Sequence, residues 1–174
     1  MKFYEALGLE PSLAVEPDDL KKRFYERSRE WHPDRFSRAT PAEQQKALDM
    51  TALLNDAFRT LRDPVKRAEY FLQEKGVQLS KEVPPELLEE VFELNMALEE
   101  LRGGDASARP QLESARDKFA AMRTEIDYDL AAQAILTILD PASYDQVRSL
   151  LNRRRYISNL LREVEKELNV QLPN

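Results

Sequence analysis

The chain has 174 residues, enough for one domain or two small ones, with no cysteine and a single histidine, which excludes disulfides, thiol chemistry and cysteine-based zinc sites. The formal charge is −6, and residues 1–75 carry 14 basic and 14 acidic side chains, so the excess of acid lies in residues 76–174. An acidic second half argues against nucleic acid as the main partner.

Strong helix formers dominate the composition and glycine is scarce, which predicts an all-α protein. No uncharged apolar run approaches the length of a membrane span, and residues 1–5 lack the features of a secretory or transit peptide. We therefore expect a cytoplasmic protein without a membrane partner. No phosphate-binding or metal-binding loop is recognisable, so no cofactor is expected.

Residues 1–75 contain the start and stop signals of a helical hairpin with two minor helices. Glu16 precedes a proline and two aspartates, which suit the first turn of a helix. Pro33 ends that helix, because the residue before a proline is pushed out of the α region. Thr40 and Glu43 have the spacing of a capping box. Helices are predicted near 3–7, from 17 to just before Pro33, from 41 to about 62, and from 64 to about 75.

Residues 76–83 are predicted to be a connector and residues 84–174 a three-helix bundle. Two glycines and an aspartate at 103–105 separate the first two segments, and Asp140-Pro141 provides a cap and a first helical position for the third. The short connections imply antiparallel packing. The predicted segments are about 85–102, 110–139 and 141–168. The predicted core face of the last helix comprises Leu150, Ile157, Leu161, Val164 and Leu168.

His32-Pro33-Asp34 falls in the loop between the two long predicted helices of the first half. Proline fixes the bend, so the imidazole and the carboxylate should be displayed to solvent. A displayed carboxylate can accept charge-assisted hydrogen bonds from a partner arginine, and nearby cations suit an acidic partner. Alternatively, Pro33 and Asp34 only stop a helix and the cations form a solvated face. The nearby cations are Lys21, Lys22, Arg23, Arg27, Arg29 and Arg35.

The helix at 85–102 has more apolar residues than one face needs. At ~100° per residue, one stripe predicts the bundle core, and it comprises Leu87, Val91, Leu94, Leu98 and Leu101. Leu88, Phe92 and Met96 form a second stripe with acidic residues beside it, namely Glu89, Glu93 and Glu100. Tyr156 lies opposite the core face of the last helix. This pattern indicates a binding patch, unless the stripe packs against the first half or widens the core.

Three segments around the tripeptide resemble the J-domain family: FYEALGL at 3–9, REWHPDRF at 29–36 with Arg23-Phe24 before it, and NDAFRTLRDP at 55–64 followed by KRAEY at 66–70. The run LRDP…RAEYFL, the short J-domain and the helical second half resemble the HscB-type co-chaperones of iron–sulfur cluster assembly. This resemblance covers nearly the whole chain.

The resemblance implies that a J-domain at 1–75 stimulates ATP hydrolysis by an HscA/DnaK-type chaperone, and that the bundle binds an IscU-type scaffold. The implied chaperone-binding residues are Arg23, Arg29, His32, Pro33, Asp34 and Arg35. The implied scaffold-binding residues are Leu88, Phe92 and Tyr156, with Glu89, Glu93, Met96 and Glu100 at neighbouring positions. Tyr25 and Glu26 interrupt the basic helix face that many J-domains carry.

Three functions are therefore weighed. The first is a monomeric adaptor that brings the scaffold to the chaperone and performs no bond chemistry itself. The second is a J-domain co-chaperone for general unfolded clients, although the zinc centre and the Gly/Phe-rich linker of broad-client J-proteins are missing. The third is an enzyme, which is disfavoured because the lone His32 has only Asp34 near it in sequence and no accompanying nucleophile.

Overall fold

The computed structural model describes residues 2–135 and 141–170, and all regular elements within those ranges are helical, which confirms the all-α prediction. The chain divides into two compact units, Met1–Val77 with Gln133–Leu139 and Gln78–Ala132 with Asp140–Asn174. The α-helices are α1 (Phe3–Ala6), α2 (Pro17–Glu30), α3 (Pro41–Leu61), α4 (Pro64–Glu74), α5 (Leu88–Arg102), α6 (Arg109–Ile135) and α7 (Pro141–Val170). Short 3-10 turns lie at Pro33–Phe36, Pro85–Leu87 and Ala106–Ala108.

Side-chain caps set where the helices of the first unit begin. The Glu16 carboxylate accepts a 2.6 Å hydrogen bond from the backbone N–H of Asp19 in α2. At α3 the Glu43 carboxylate accepts from the Thr40 N–H at 2.8 Å, and the Thr40 hydroxyl accepts from the Glu43 N–H at 3.4 Å. Asp63 caps α4. These bonds satisfy N–H groups that lack a partner within the helix, so the predicted starts are confirmed.

The helices α2 and α3 form the predicted antiparallel hairpin. Phe24 stacks on Phe58 with ring centroids 4.4 Å apart, and the Thr51 hydroxyl donates to the Trp31 carbonyl at 3.2 Å. Trp31, which follows α2 directly, thus meets an earlier residue of α3 than Phe24 does, and this defines the antiparallel direction. The tripeptide loop is therefore held at one end of the hairpin, beside the first turns of α3.

Arg67 closes the other end of the hairpin. Its side chain is buried, with Nε donating to the Leu13 carbonyl at 2.8 Å and Nη1 to the Leu61 carbonyl at 2.7 Å. Burial holds the pKa of this guanidinium below its usual value, but the two carbonyls stabilise the charge. Arg67 thereby joins the segment before α2 to the end of α3.

In the second unit, α5 and α7 run in the same direction and α6 runs against both. Arg102, the last residue of α5, pairs with Glu167 near the end of α7 at 2.9 Å. Arg109, the first residue of α6, donates to the Leu168 carbonyl at 3.4 Å. The turn after α5 contains Gly104, whose φ of 95° lies in the left-handed region that favours glycine. This order matches the predicted bundle.

The predicted stripe of α5 faces the core, except that Val91 is only partly buried. Its fully buried members, at 0–2% exposure, are Leu87, Leu94, Leu98 and Leu101. On α7, the predicted core residues that are buried are Ile157, Leu161, Val164 and Leu168.

The prediction for Leu150 is wrong, because this residue is only partly buried while Val147 and Leu151 are buried. In a helix of 30 residues the inward face drifts around the axis, so the stripe read from later turns misplaces the first ones. The predicted cap at Asp140, and residues 136–139 of the predicted second segment, lie outside the described residues.

Two candidate partner-binding surfaces

The tripeptide loop displays its polar side chains to solvent. The helix α2 ends at Glu30, and Pro33–Phe36 form a single 3-10 turn before α3 begins. The side chains of His32 and Asp34 are 58% and 89% exposed. The tripeptide therefore lies in a loop, as predicted, and not within a continuous helix.

The imidazole of His32 shapes the turn that carries Asp34. Its Nδ1 accepts the backbone N–H of Asp34 at 3.3 Å and so caps the turn. A ring nitrogen that accepts this bond carries no proton, which places the ring proton on Nε2. The Asp34 carboxylate lies 3.5 Å from the same Nδ1, but an ion pair there would need a proton on Nδ1 and would break the cap. While this cap is in place, Nε2 is the ring nitrogen of His32 that has no partner among the described residues.

Contacts with α3 hold the loop in place. The rings of Trp31 and Phe36 stack with centroids 5.8 Å apart, and the Lys46 ammonium lies 5.5 Å from the Trp31 ring. Lys46 was not among the predicted residues. Its contact crosses the hairpin, so no periodic pattern along the sequence reveals it. The exposed Lys46 adds a cation beside the loop.

The predicted cations differ in their availability. The Arg23 guanidinium donates to the Asp19 carboxylate at 2.7 Å and to the Gly8 carbonyl at 2.6 Å, so it is used within the fold. Arg35 is exposed and donates to the Arg29 carbonyl at 3.3 Å. The guanidinium of Arg29 is exposed and has no partner among the described residues. Arg29 and Arg35 are therefore better placed than Arg23 to meet another protein.

The second stripe of α5 forms an exposed apolar strip, defined here as Leu88, Phe92 and Met96. Their exposed fractions are 56%, 66% and 47%, whereas Leu94 on the other face of the same helix is 2% exposed. The alternative that this stripe widens the bundle core is therefore excluded. The predicted neighbouring acids are all exposed, and they are Glu89, Glu93 and Glu100.

Tyr156 is held more tightly than the strip. Its ring is only partly exposed, its hydroxyl donates to the Lys81 carbonyl at 2.7 Å, and the Arg155 guanidinium lies 5.5 Å from the ring centroid. Three residues earlier on α7, Arg153 Nε lies 3.2 Å from the carboxylate of Glu86, an ion pair without a hydrogen bond at Nε. Since three residues turn a helix by ~300°, Tyr156 and Arg153 project only ~60° apart. Tyr156 is thus held against the segment that precedes α5.

A groove of about 740 Å³ lies beside the apolar strip, between α5 and α6. Phe92, Met96 and Glu93 line one wall, and α6 residues including Ser114 and Lys118 line the other. The groove was not predicted, because the sequence does not reveal how α6 is rotated against α5. Tyr128 of α6, with an exposed fraction of 75%, was not predicted either.

The described part of the chain supports neither a metal site nor a membrane-spanning helix. Residues 2–135 and 141–170 contain no group of three potential metal ligands. Within the same ranges, no helix combines the length and the apolar character needed to cross a bilayer.

Comparisons with known proteins agree with both halves of the fold. Residues 2–70 match the family described as the DnaJ domain, and residues 83–165 match the HSCB C-terminal oligomerisation domain. The co-chaperone protein HscB homolog of Shewanella sp. (strain ANA-3) is 34% identical over 158 residues, 86% of this chain and 89% of the relative. That of Vibrio vulnificus (strain YJ016) is 31% identical over 170 residues, 95% of each chain.

Two solved structures share the architecture. Chaperone HscB from Vibrio cholerae superposes with a TM-score of 0.67 at 27% identity, covering 99% of this chain and 100% of that one. Human co-chaperone protein HscB has the same fold, with a TM-score of 0.70 at 22% identity over 99% of this chain and 84% of that one. The chain belongs to the HscB family of J-domain co-chaperones, which act through partner proteins and are not themselves enzymes.

Proposed function

We propose that this chain links two proteins in iron–sulfur cluster assembly: it binds an IscU-type scaffold and stimulates ATP hydrolysis by an HscA/DnaK-type chaperone to which it delivers that scaffold. The observation that carries the proposal is the presence of two exposed surfaces with different chemistry. One unit displays the Asp34 carboxylate, 89% exposed, and the other displays the apolar strip with Phe92 at 66%.

The tripeptide loop suits a basic group set within an acidic surface of the chaperone. Among the described residues no hydrogen bond uses the Asp34 carboxylate, so both of its oxygens are available to a partner arginine. A hydrogen bond to a charged group contributes about 1.5–3 kcal/mol. Nε2–H of His32 supplies a donor beside that carboxylate, and Arg29 and Arg35 favour encounter with an acidic partner.

The apolar strip suits a client that contributes apolar side chains and a basic rim. Fully burying one large apolar side chain contributes about 1.5–3 kcal/mol, and the gain is largest for Phe92 because two thirds of it remains exposed. Glu89, Glu93 and Glu100 lie around the strip, where they favour a basic client surface. This chemistry matches a folded scaffold with a complementary patch.

Two sites on one chain raise the local concentration of the scaffold at the chaperone. A second binding event within the same assembly occurs at an effective concentration that reaches millimolar values for short linkers. The chain therefore promotes the meeting of its partners without performing any bond chemistry. Each partner needs only a modest affinity for its own surface.

The test is the steady-state ATPase rate of the chaperone with this chain, with the scaffold, and with both. We expect stimulation by the chain alone and a larger, more than additive stimulation with the scaffold. Replacing Leu88, Phe92 and Tyr156 together by alanine should remove only the additional effect of the scaffold. An ATPase rate that the full-length chain leaves unchanged would disprove the proposal.

The alternative, a co-chaperone for general unfolded clients, makes a different prediction. An exposed apolar strip can also contact an unfolded segment, so a pull-down with the full chain should compare the folded scaffold with a denatured model protein. Retention of the scaffold alone supports delivery in cluster assembly. Equal retention of the denatured protein would favour the general-client function.

A further inference from the structure

The segment that leads into the bundle is attached to α7 by its backbone carbonyls. Three consecutive carbonyls accept side-chain hydrogen bonds: that of Ser80 from Arg155 Nη2 at 2.6 Å, that of Lys81 from the Tyr156 hydroxyl at 2.7 Å, and that of Glu82 from Asn152 Nδ2 at 3.0 Å. We call residues 80–82 the strap. Residues 76–83 were predicted to be a connector, and this part of them is held on the bundle.

The three donors form one organised group on α7. Asn152, Arg155 and Tyr156 stand at positions i, i+3 and i+4, which share a helical face. Arg155 Nη2 also donates to Asn152 Oδ1 at 2.8 Å, so the two side chains orient each other. The strap belongs to no helix and no ladder, and these donors satisfy carbonyls that would otherwise need water.

The strap determines which parts of Tyr156 a partner can reach. The hydroxyl is used by the Lys81 carbonyl, and the Arg155 guanidinium lies 5.5 Å from the ring centroid. What remains for a partner is the exposed part of the ring. A side chain restrained at both its polar tip and its ring loses little further freedom when a partner binds.

We infer that Asn152 and Arg155 are positioning residues for the scaffold-binding surface, because they hold the strap that fixes the Tyr156 ring before the scaffold arrives. The inference rests on the proposed function and adds to it a group of residues outside the apolar strip. In this view the Tyr156 hydroxyl bonds to the strap of its own chain. The alternative is that the hydroxyl contacts the scaffold directly.

Trypsin provides a probe of the strap that needs no partner. Lys81 is exposed and is followed by Glu82, so the bond between them can be cleaved only if the strap leaves α7 and enters the protease. Loss of one hydrogen bond should raise that rate about fivefold, within the range expected for a single bond. The full-length variants Asn152→Ala and Tyr156→Phe each remove one donor and retain the rest of the surface.

The experiment measures two quantities for each variant: the rate of cleavage after Lys81 and the scaffold affinity by isothermal titration calorimetry. We expect both variants to be cleaved about fivefold faster and to bind the scaffold about threefold more weakly. Asn159→Ala is the matched control, because Asn159 is an exposed α7 asparagine whose one side-chain bond among the described residues is the 3.4 Å bond that it accepts from Arg162. It should change neither quantity and should retain the wild-type melting temperature, whereas each strap variant should melt only about 2–4 °C earlier, as expected for the loss of one hydrogen bond.

Unchanged cleavage in both variants would overturn the strap itself. Faster cleavage with unchanged affinity would overturn its positioning role, and weaker binding by Tyr156→Phe alone, with unchanged cleavage, would assign the hydroxyl to a direct contact. A wild-type chain that fails to bind the scaffold would disprove the proposed function and the positioning role together. The cleavage rates would still decide whether the strap exists.

Discussion

The tripeptide loop and the apolar strip are held in place in different ways. The loop depends on contacts that cross the hairpin, from Thr51 and Lys46 of α3 to Trp31 at the end of α2. The strip depends only on the register of α5, where Phe92 is 66% exposed and Leu94, two residues later, is 2% exposed. A helix whose inner face is well packed thus presents its outer face without further support, whereas a loop needs tertiary contacts to display three residues.

The largest expected difference lies within α5. Leu94→Ala should lower the free energy of unfolding by about 2–5 kcal/mol, because it leaves a cavity in the core. Phe92→Ala should lower it by less than about 0.5 kcal/mol but weaken scaffold binding. Urea unfolding of both variants checks the comparison. Equal losses of stability would mean that Phe92 supports the fold.

The next effect separates the two surfaces by function. Asp34→Asn removes the charge that a chaperone arginine would meet and should lower ATPase stimulation at least tenfold, which corresponds to about 1.5–3 kcal/mol. Scaffold affinity should not change. The control is Asp49→Asn, since Asp49 is an exposed α3 carboxylate that, within residues 2–135 and 141–170, accepts a hydrogen bond from Gln45 alone. Equal losses of stimulation in both variants would argue against a specific role for Asp34.

A smaller effect distinguishes two arginines of α2. Arg23→Ala removes internal bonds to Asp19 and Gly8 and should lower the melting temperature, with a cost of about 0.5–1 kcal/mol. Arg29→Ala should leave melting unchanged and raise the concentration needed for half-maximal stimulation about threefold. Added salt should reduce that difference, because it screens exposed charges. The reverse pattern would make Arg23 the chaperone contact.

The smallest effect concerns a cap that lies in neither surface. The hydroxyl and the N–H of Thr40 hold the pKa of Glu43 below the ordinary glutamate value of 4.5. Because folding lowers this pKa, the capping box stabilises the fold above about pH 4.5 and loses that contribution as the pH falls through the lowered value. Glu43→Ala should therefore melt earlier than wild type at pH 7, and the difference should shrink in acid. A constant difference would exclude the carboxylate as its cause.

Local signals predicted the features that depend on neighbouring residues. Thr40 and Glu43 predicted the start of α3, and the spacing of Leu88 from Phe92 predicted that both lie on one face of α5, although not whether that face is exposed. Both work because a cap or a helical face involves residues within four positions of each other. The same reasoning failed at Leu150, where a face read from later turns was extended along a long helix.

Contacts between distant residues could not be predicted in this way. Arg67 was recognised only as part of a family motif, and its physical role depends on the Leu13 carbonyl, 54 positions away. The sequence gives no sign that Arg23 is used within the fold, because the Gly8 carbonyl that accepts from it lies 15 positions away. The bond between Tyr156 and Lys81 spans 75 positions. Nothing in periodicity or composition encodes which carbonyl a long side chain will reach.

The cap that His32 forms on its own loop occupies Nδ1 and leaves Nε2 for the partner contact proposed above. Asparagine places a polar atom where Nδ1 stands, and glutamine places one where Nε2 stands. His32→Asn therefore keeps the turn and deletes the outward donor, whereas His32→Gln keeps an outward donor and releases the turn. Comparing the two variants separates the effect of the turn's shape from the effect of the outward hydrogen-bond donor. An alanine at position 32 removes both at once.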